Sequence, residues 1–354
     1  MKAKLKINEF QRALKLCYNA IDPKDTIRSN ILFSAEENLI RMKATNGLYS
    51  IDVVCNSDVS EEGKAFVDGK MAYNVVSKAT GDCKLSADEN SMVINASGRT
   101  KLPNINKELP WIDEVTGSEV SFDGVAFRNA IEKTKYAIGE DQSRMILTGA
   151  HITSDGFVAT VTALDGFRLA QTTFDCVGSN IDIIVPTPIL DAICSAITDG
   201  NIVLRTNKSR ITVVGDNFLI NASLLDGQYV DTARIIPTDF NINVLVNTAI
   251  FKNCVDTATI SCGNTNMVKL IVEKDKLKVA SNSEMADYSG EVDAAVNGEE
   301  LTIAFNIRYL VQTLSKIGTE QCEVRLNSNT SPAIFAPHEE GNKDINLILP
   351  VRTF

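Results

Sequence analysis

The chain has 354 residues, of which 44% are hydrophobic and 23% charged, with 20 glycines and 9 prolines. This length and composition predict two or three folded domains and exclude a largely disordered or collagen-like chain. The net charge is −10, from 35 Lys and Arg against 45 Asp and Glu, so binding to nucleic acid would have to come from local basic patches.

The N-terminal ten residues alternate lysines with apolar side chains and lack the apolar core of a signal peptide. No apolar run is long enough to predict a transmembrane helix. These features predict a cytoplasmic protein that does not bind membranes. The eight cysteines form no C-x-x-C pair and most have apolar neighbours, which predicts small buried hydrophobic side chains rather than disulfides or zinc ligands.

Taken in chain order, one class of helix occurs three times, at 7–20, 123–138 and 247–260. Each contains an apolar stripe at positions i, i+3, i+4 and i+7, which places four side chains on one helix face. The stripes are Phe10, Ala13, Leu14 and Cys17; Phe127, Ala130, Ile131 and Thr134; and Phe251, Cys254, Val255 and Ala258. The leading phenylalanines are 117 and 124 residues apart.

A second class of helix follows each of these, at 68–79, 186–199 and 306–317. Each is preceded by a short apolar strand, at 65–67, 183–185 and 303–305, and is predicted to end at a glycine. Those glycines are Gly81, Gly200 and Gly318, which are 119 and 118 residues apart. Because both classes recur in the same order and at nearly the same period, the sequence predicts an internal triplication.

Between the helices lie short alternating runs typical of strands. Examples are 39–44, 157–163, 202–205, 211–214, 270–272 and 277–280. Each third of the chain is therefore predicted to contain two helices and about eight strands. The predicted fold class is α+β, with three tandem domains at 1–118, 120–237 and 238–354, in which helices cover one face of antiparallel sheets.

Residues for catalysis are scarce. The only histidines are His151 and His338, and both are interpreted as structural or incidental. The sequence contains no P-loop, no G-x-G-x-x-G, no H-E-x-x-H and no EF-hand loop. The acidic pairs Glu61-Glu62, Glu299-Glu300 and Glu339-Glu340 are interpreted as solvated charges. We therefore predict no catalytic residue, no metal and no cofactor, and a scaffold rather than an enzyme.

The positive charge is concentrated in the predicted helices. The six helices together have a net charge of +3, which leaves −13 on the rest of the chain. The cations on these helices are Arg12, Lys15, Lys70, Lys78, Arg128, Lys133, Lys135, Lys252, Arg308 and Lys316.

Four motifs of the chain occur in the same order as in one known family. The segment 163–170, ALDGFRLA, is similar to the family's T-D-G-H-R-L-A, and 229–237, YVDTARIIP, to its F-P-D-Y-x-R-V-[LI]-P. The segment 305–310, FNIRYL, resembles F-N-x-x-Y-[LV], and the terminal LPVRTF resembles the ending [ML]-P-[MV]-R. On these four motifs the chain resembles the bacterial sliding clamp, the β subunit of DNA polymerase III. Together with the triplication, the resemblance covers the whole chain.

The resemblance implies a head-to-tail homodimer that closes a ring around duplex DNA. It also implies that the helix cations named above face the DNA and attract its phosphates, which carries no sequence information. It also implies partners that carry short clamp-binding peptides, namely the replicative polymerase, the clamp loader and other proteins. For the dimer interface the resemblance implies Leu102, Thr259 and Ile260. Near the place of a DNA-contacting arginine of the family, the chain has Lys24.

The resemblance further implies a pocket for partner peptides between the second and third domains. Its residues are Arg144, Leu147, Gly166, Phe167, Arg168, Leu169, Val230, Arg234, Ile235, Asn306, Tyr309, Thr330, Pro332, Leu347, Ile348, Leu349, Pro350, Val351 and Arg352. The chain differs from the family pattern in Met145-Ile146 after Arg144, in Phe167 for a histidine and in Val230 for a proline. Thr353 and Phe354, beyond Arg352, are expected to alter the mouth of the pocket.

Two other interpretations remain open from the sequence. One is a clamp-like scaffold that binds peptides without encircling DNA. The other is an enzyme with three tandem α+β domains that acts on a polar small molecule, although the scarcity of histidine disfavours it.

Overall fold

The computed structural model describes residues 1–352, so the expected effect of Thr353 and Phe354 lies outside the described residues. The chain forms two compact units. The first unit contains Met1–Arg128, Thr153–Val158 and Asp175–Asp226. The second contains Asn129–Ile152, Ala159–Phe174 and residues from Gly227 onwards.

All six predicted helices are present. They are α1 (Ile7–Asn19), α2 (Gly69–Val76), α3 (Gly124–Thr134), α4 (Thr187–Ala196), α5 (Thr248–Ala258) and α6 (Ile307–Leu314). Every residue of the three apolar stripes is buried, and Phe10, Phe127 and Phe251 are completely inaccessible. Each such phenylalanine contributes about 1.5–3 kcal/mol of hydrophobic free energy on burial. The 3.6-residue period therefore identified the core-facing side of these helices correctly.

The predicted ends of the second helix class were wrong. The helices α2, α4 and α6 end at Val76, Ala196 and Leu314, several residues before Gly81, Gly200 and Gly318. The intervening segments of the first and third continue as tight turns, in which Ala79 N–H donates to Val76 and Ile317 N–H donates to Leu314. Gly81, Gly200 and Gly318 therefore lie beyond the helix ends, and a helical pattern alone does not show where a helix passes into a turn.

The strands are short, and the described residues contain nine, nine and eight of them in the three successive thirds of the chain. In the first third they are β1 (Lys2–Lys6), β2 (Asn30–Glu36), β3 (Leu39–Thr45), β4 (Tyr49–Asn56), β5 (Asp58–Glu61), β6 (Gly63–Asp68), β7 (Asp82–Ala87), β8 (Ser91–Asn95) and β9 (Arg99–Pro103). In the middle third they are β10 (Ser118–Asp123), β11 (Gly149–Asp155), β12 (Val158–Leu164), β13 (Arg168–Asp175), β14 (Val177–Gly178), β15 (Asn180–Pro186), β16 (Asn201–Thr206), β17 (Arg210–Val214) and β18 (Phe218–Ser223). In the last third they are β19 (Ile242–Asn247), β20 (Met267–Val272), β21 (Lys276–Asn282), β22 (Asp287–Asn297), β23 (Leu301–Asn306), β24 (Gln321–Leu326), β25 (Ala333–Pro337) and β26 (Ile345–Ile348).

The first unit contains two antiparallel sheets. One has the strand order β5-β1-β7-β8-β9 and the other the order β14-β10-β16-β17-β18-β4-β3-β2-β6. The second sheet joins strands from the first and middle thirds of the chain, because β18 pairs with β4 from Phe218 opposite Val53 to Ala222 opposite Tyr49. Helix α1 packs on β3 and β4 and against α2.

In the second unit the strands follow the order β12-β13-β26-β25-β24-β19-β22-β21-β20-β23. Here β13 of the middle third pairs with β26 of the last third, with Arg168 opposite Ile348 and Leu169 opposite Leu347. Helices α5 and α6 pack against each other, and α5 also packs on β21 and β22. The core of this unit includes Phe251, Phe305 and Phe335. The α+β fold class with antiparallel sheets is confirmed.

All eight cysteines are free thiols, and seven of them are buried, in agreement with their interpretation as small hydrophobic side chains. Burial raises the pKa of Cys322 to about 12, which keeps this thiol protonated at neutral pH. Within residues 1–352, no cluster of three or more His, Cys, Asp or Glu is arranged to hold a metal ion. No helix in the same range is long and apolar enough to cross a membrane.

Candidate functional site

The turn between β12 and β13 forms the centre of the candidate peptide site. Asp165 accepts hydrogen bonds from the main-chain N–H groups of Phe167 at 2.8 Å and Arg168 at 3.0 Å. Gly166 has φ +94°, a conformation that favours glycine, and a Cβ there would lie 2.9 Å from Nη1 of Arg144. The turn directs Phe167 outward, with 58% of its surface exposed.

Arg168 is fixed by four neighbours. Its Nε donates to Asp165 Oδ2 at 3.0 Å and its Nη1 donates to Gln312 on α6. The guanidinium carbon lies 4.5 Å from the ring centre of Tyr309 and 5.3 Å from that of Tyr136. Its side chain is only 9% exposed. Because an ion pair, a hydrogen bond and two aromatic rings surround its guanidinium, Arg168 holds the turn in place rather than offering a free donor.

Aromatic rings extend this arrangement to the surface. The ring of Phe167 stacks on Tyr309, with centres 6.3 Å apart and planes 25° apart. On the buried side, the hydroxyl of Tyr136 donates to Oδ1 of Asn346 at 2.9 Å. Burial raises the pKa of Tyr136 to about 12. Desolvation also raises the pKa of Tyr309. Both phenols are therefore neutral at pH 7, and the outer face of Phe167 is an apolar surface above a fixed support.

The C-terminal segment forms the adjoining wall. The N–H of Leu349 donates to the carbonyl of Phe167 at 2.9 Å, and the N–H of Val351 donates to Ala304 at 2.8 Å. Leu349 and Val351 are partly exposed. Leu147, Leu169, Leu347 and Ile348 are instead buried. Leu169 faces Leu347 and Arg168 faces Ile348, so Leu347 and Ile348 point to opposite faces of the sheet. Pro350 is half-buried and Arg352 is exposed.

The remaining predicted pocket residues lie in three segments, namely residues 230–235, the N-terminus of α6 and the loop before β25. Val230 and Arg234 are exposed and Ile235 is half-buried, and Arg234 pairs with Asp231 at 2.9 Å. Asn306 caps α6 by accepting the N–H of Arg308 at 3.0 Å. Thr330 and Pro332 lie in the loop before β25, where Oγ1 of Thr330 is 3.3 Å from Oγ of Ser328.

The two histidines and the side chains that support Arg168 were not part of the predicted pocket. His151 stacks on Tyr229 at 4.7 Å between ring centres, next to Val230. Asp165, Gln312 and Tyr136 support the site from behind. For Asp165 a sequence indication existed, since Asp-Gly is a turn signal and its carboxylate can bond to the next main-chain N–H groups. Gln312 and Tyr136 give no such indication, because their role depends on tertiary packing.

The candidate DNA-facing cations divide into two groups. In the residues that the structure describes, no ion pair is found for Arg12, Lys15, Lys24, Lys70, Lys78, Arg308 or Lys316. Three others are paired: Lys133 with Asp344 at 2.7 Å, Lys135 with Glu132 at 2.8 Å, and Lys252 with Asp256. Arg128 donates to the carbonyl of Ile197 at 3.3 Å. Ion pairing reduces what the second group can contribute to phosphate binding.

The three predicted interface residues have different environments. Ile260 is 82% exposed just after α5, and Thr259 beside it is also exposed. Leu102 is buried on β9, opposite Met92. Its strand, however, is the outermost of the five-stranded sheet, so the main chain of β9 rather than the Leu102 side chain is free to make new contacts.

Two family models match the chain. The central domain of the DNA polymerase III beta subunit matches residues 122–231, and the C-terminal domain of the same subunit matches residues 233–352. Together they cover more than half of the sequence. The chain belongs to the DNA polymerase III beta subunit family.

Relatives of the beta subunit family align along the entire chain. The "Beta sliding clamp" of Staphylococcus aureus strain Mu50 is 26% identical over 381 residues, covering 100% of both chains. That of Staphylococcus epidermidis strain RP62A is 26% identical over 374 residues, covering 98% of this chain and 97% of the relative.

Solved structures of this family have the same fold. The beta subunit from Thermotoga maritima has a TM-score of 0.92 at 20% identity, and that from Streptococcus pyogenes 0.92 at 22%. The Pseudomonas aeruginosa sliding clamp bound to griselimycin has a TM-score of 0.94 at 21% identity. Each comparison covers 100% of both chains. The family predicted from the four sequence motifs is therefore confirmed.

Proposed function

We propose that this protein is a DNA sliding clamp: a ring that encircles duplex DNA and tethers the replicative polymerase and other partners for processive synthesis. It acts as a scaffold and not as an enzyme, in the cytoplasm, as a homodimer. The observation that carries the proposal is a strand-pairing rule that repeats along the chain and leaves two complementary strand edges without partners.

The rule depends on three tandem domains, which we place at 1–118, 120–237 and 238–354. Each has a first strand and helix, then a three-stranded antiparallel meander, one or two further strands, a second helix and a last group of strands. The last strand of the meander is β4, β13 or β22, and the last strand of the domain is β9, β18 or β26. The middle domain contributes residues to both compact units.

Neighbouring domains join in the same way twice. The meander strand β4 of the first domain pairs with the last strand β18 of the second, and β13 of the second pairs with β26 of the third. Two strands are left over. The edge of β9 has no strand partner among residues 1–352, and residues 287–293 of β22 pair there on one side only, with β21. A second copy of the chain can repeat the rule by pairing its β9 with this β22.

The register of the new pair follows from the two existing junctions. Asn46 and Ser283 start equivalent turns, because each N–H donates to the residue three positions on, which makes Tyr49 and Ala286 equivalent. Tyr49 faces Ala222. We therefore expect Ala286 of one copy to face the residue equivalent to Ala222 in the other copy.

That residue is Leu102. The first facing pair of β17 and β18 is Val214 with Leu219, and the first facing pair of β8 and β9 is Asn95 with Arg99. Leu219 and Arg99 are therefore equivalent. Three residues further along each strand, Leu102 holds the position of Ala222. One step along, Lys101 faces Asp287, and both side chains are exposed in the single chain. Cross-strand pairs of opposite charge stabilise a sheet by about 0.2–1 kcal/mol each.

Exposed apolar side chains beside these edges support the same assembly. Ile260 is exposed just after α5, and Met285 is exposed in the turn that leads to β22. Met71 is exposed on α2, which packs near β9. Large exposed apolar side chains near an open strand edge are characteristic of an interface. A head-to-tail contact of this kind generates a closed ring when its rotation closes.

The proposed binding to DNA rests on the exposed cations of the helices and on Lys24, which lies in the loop before β2. A ring needs only non-specific attraction to phosphates, since its topology retains the DNA. The peptide site is proposed on the surface around Phe167, Leu349 and Val351. Apolar anchors of polymerase and clamp loader peptides would be buried there at about 1.5–3 kcal/mol each.

The test is retention on DNA as a function of topology. The full-length protein is loaded onto nicked circular DNA by a clamp loader and ATP, and the DNA is then cut once. Retention on the circle and loss after cutting are expected, because a ring slides off an end. Equal retention on both forms would leave the clamp-like peptide-binding scaffold as the better description.

A further inference from the structure

The outer face of the nine-stranded sheet carries an apolar row that the fold does not require. Residues directly opposite one another across five neighbouring strands are Val177, Ser121, Val203, Val214 and Leu219. Four of the five are apolar, and each is at least partly exposed. The alternate residues of these strands, such as Ile202 and Val213, are buried on the helix-covered face.

The equivalent row of the first third provides an internal comparison. There the positions are occupied, in the same order, by Asp58, Lys4, Lys84, Asn95 and Arg99. All five are polar and exposed. Because one copy of the fold is stable with charged side chains at these positions, the valines of the other copy are not needed for its stability.

A hairpin tip extends the row to the sheet edge. Phe157 is 79% exposed and Val177 is 75% exposed, and the N–H of Cys176 donates to the carbonyl of Phe157 at 2.8 Å. Asp155 fixes the tip by accepting the N–H groups of Phe157 and Val158 at 2.9 and 2.8 Å. In the matching hairpin tip of the first third, the carbonyl of Asn38 accepts the N–H of Ser57. The polar Asn38 therefore holds the position of Phe157.

The surroundings of the row are acidic. Asp155, Asp175 and Asp123 are exposed around its outer end, and so is Glu119, whose charge is balanced by Arg205. The nearby cation, Arg205, is already paired with Glu119 at 2.8 Å and with Glu114 at 3.9 Å. Apolar surface surrounded by negative charge is complementary to an apolar stripe flanked by Lys and Arg.

The dimensions of the row match a helix. Five strands about 4.8 Å apart give a row about 19 Å long, which corresponds to about 13 residues of α-helix at 1.5 Å per residue. The helix pitch of about 5.4 Å is close to the strand spacing, so one apolar side chain per turn meets one strand. We propose that the apolar residues of this row, Val177, Val203, Val214 and Leu219, together with Phe157 at the adjoining hairpin tip, are a docking surface for a basic amphipathic helix of a partner protein.

The test replaces three valines of the row with the residues at the equivalent positions of the first third, as Val177→Asp, Val203→Lys and Val214→Asn in one variant. This variant leaves the net charge unchanged, so weaker binding cannot be due to overall charge. The probe is a fluorescent 14-residue peptide of Leu and Lys with an amphipathic helical pattern. An isomer of the same composition without the pattern is the control, and binding is measured by anisotropy.

We expect the parent protein to bind the patterned peptide at least tenfold more tightly than the isomer, and the triple variant to lose this preference. Thermal denaturation should show that the triple variant is folded, and Ile250→Asn, an uncharged change at an exposed apolar residue of α5, should bind as the parent does. Equal binding of both peptides by the parent, or undiminished preference in the triple variant, would overturn the proposal. Association of the parent beyond a dimer that the triple variant abolishes would also overturn it, since the row would then contact a second copy.

Discussion

The main-chain N–H of Leu349 donates to the carbonyl oxygen of Phe167 at 2.9 Å and joins the C-terminal segment to the turn before β13. The equivalent bond at the other junction runs from Ser223 to Leu48 at 3.3 Å. Both carbonyls belong to an exposed apolar residue that follows a glycine of positive φ. The two junctions are therefore built alike, and they differ in the side chains that they present.

This difference allows a matched test of the peptide site. Phe167→Ala removes the aromatic surface, and the loss of about 1.5–3 kcal/mol of apolar burial should weaken binding of a fluorescent clamp-binding peptide about tenfold to a hundredfold. Leu48→Ala removes a comparably exposed side chain at the other junction and should leave affinity unchanged. If Leu48→Ala weakened binding as much as Phe167→Ala, the peptide site would be misplaced.

The proposed dimer contact is testable by charge reversal. Lys101→Glu or Asp287→Lys alone places like charges opposite each other and should shift the monomer–dimer equilibrium toward monomer, by about 0.5–2 kcal/mol. The double variant restores opposite charges and should recover most of the loss. Sedimentation equilibrium provides the measurement. Additive losses in the double variant would show that the two residues do not meet.

The division of the helix cations predicts different salt dependences. Replacing Arg12 and Lys15 together with alanine should reduce the slope of log affinity for duplex DNA against log salt by about 0.9 for each phosphate that is no longer neutralised. Lys252→Ala should change the slope less, because Lys252 is paired with Asp256. Anisotropy titrations at several salt concentrations give the slopes. Equal changes in the two variants would contradict this division.

The apolar stripes predict stability effects. Phe251→Ala leaves a cavity in the core of the second unit and should lower the free energy of unfolding by about 3–5 kcal/mol. Ile250→Ala changes the adjacent exposed residue and should alter the free energy of unfolding by less than about 0.5 kcal/mol. Denaturant unfolding monitored by circular dichroism separates the two. A small effect of Phe251→Ala would show that the stripe is not part of the core.

The helices could be predicted because their apolar spacing depends only on local sequence and is repeated three times. Their C-terminal ends could not, since residues such as Ala79 and Ile317 continue the apolar pattern through turns that are not helical. The resemblance placed Leu169 and Leu347 in the pocket, but which face of the sheet a side chain points to is decided by the pairing of β13 with β26. Likewise, the ion pairs of Lys133 and Lys252 depend on partners that sequence spacing alone leaves undetermined.

Closure of a ring by two copies through β9 and β22 can be seen in particle images. The measurement is negative-stain electron microscopy of the full-length protein at micromolar concentration. We expect two-fold symmetric closed rings of two chains, with a central hole wide enough for duplex DNA, that open in the Lys101→Glu variant. Compact particles without a hole, or single chains of 38.6 kDa at that concentration, would contradict ring closure.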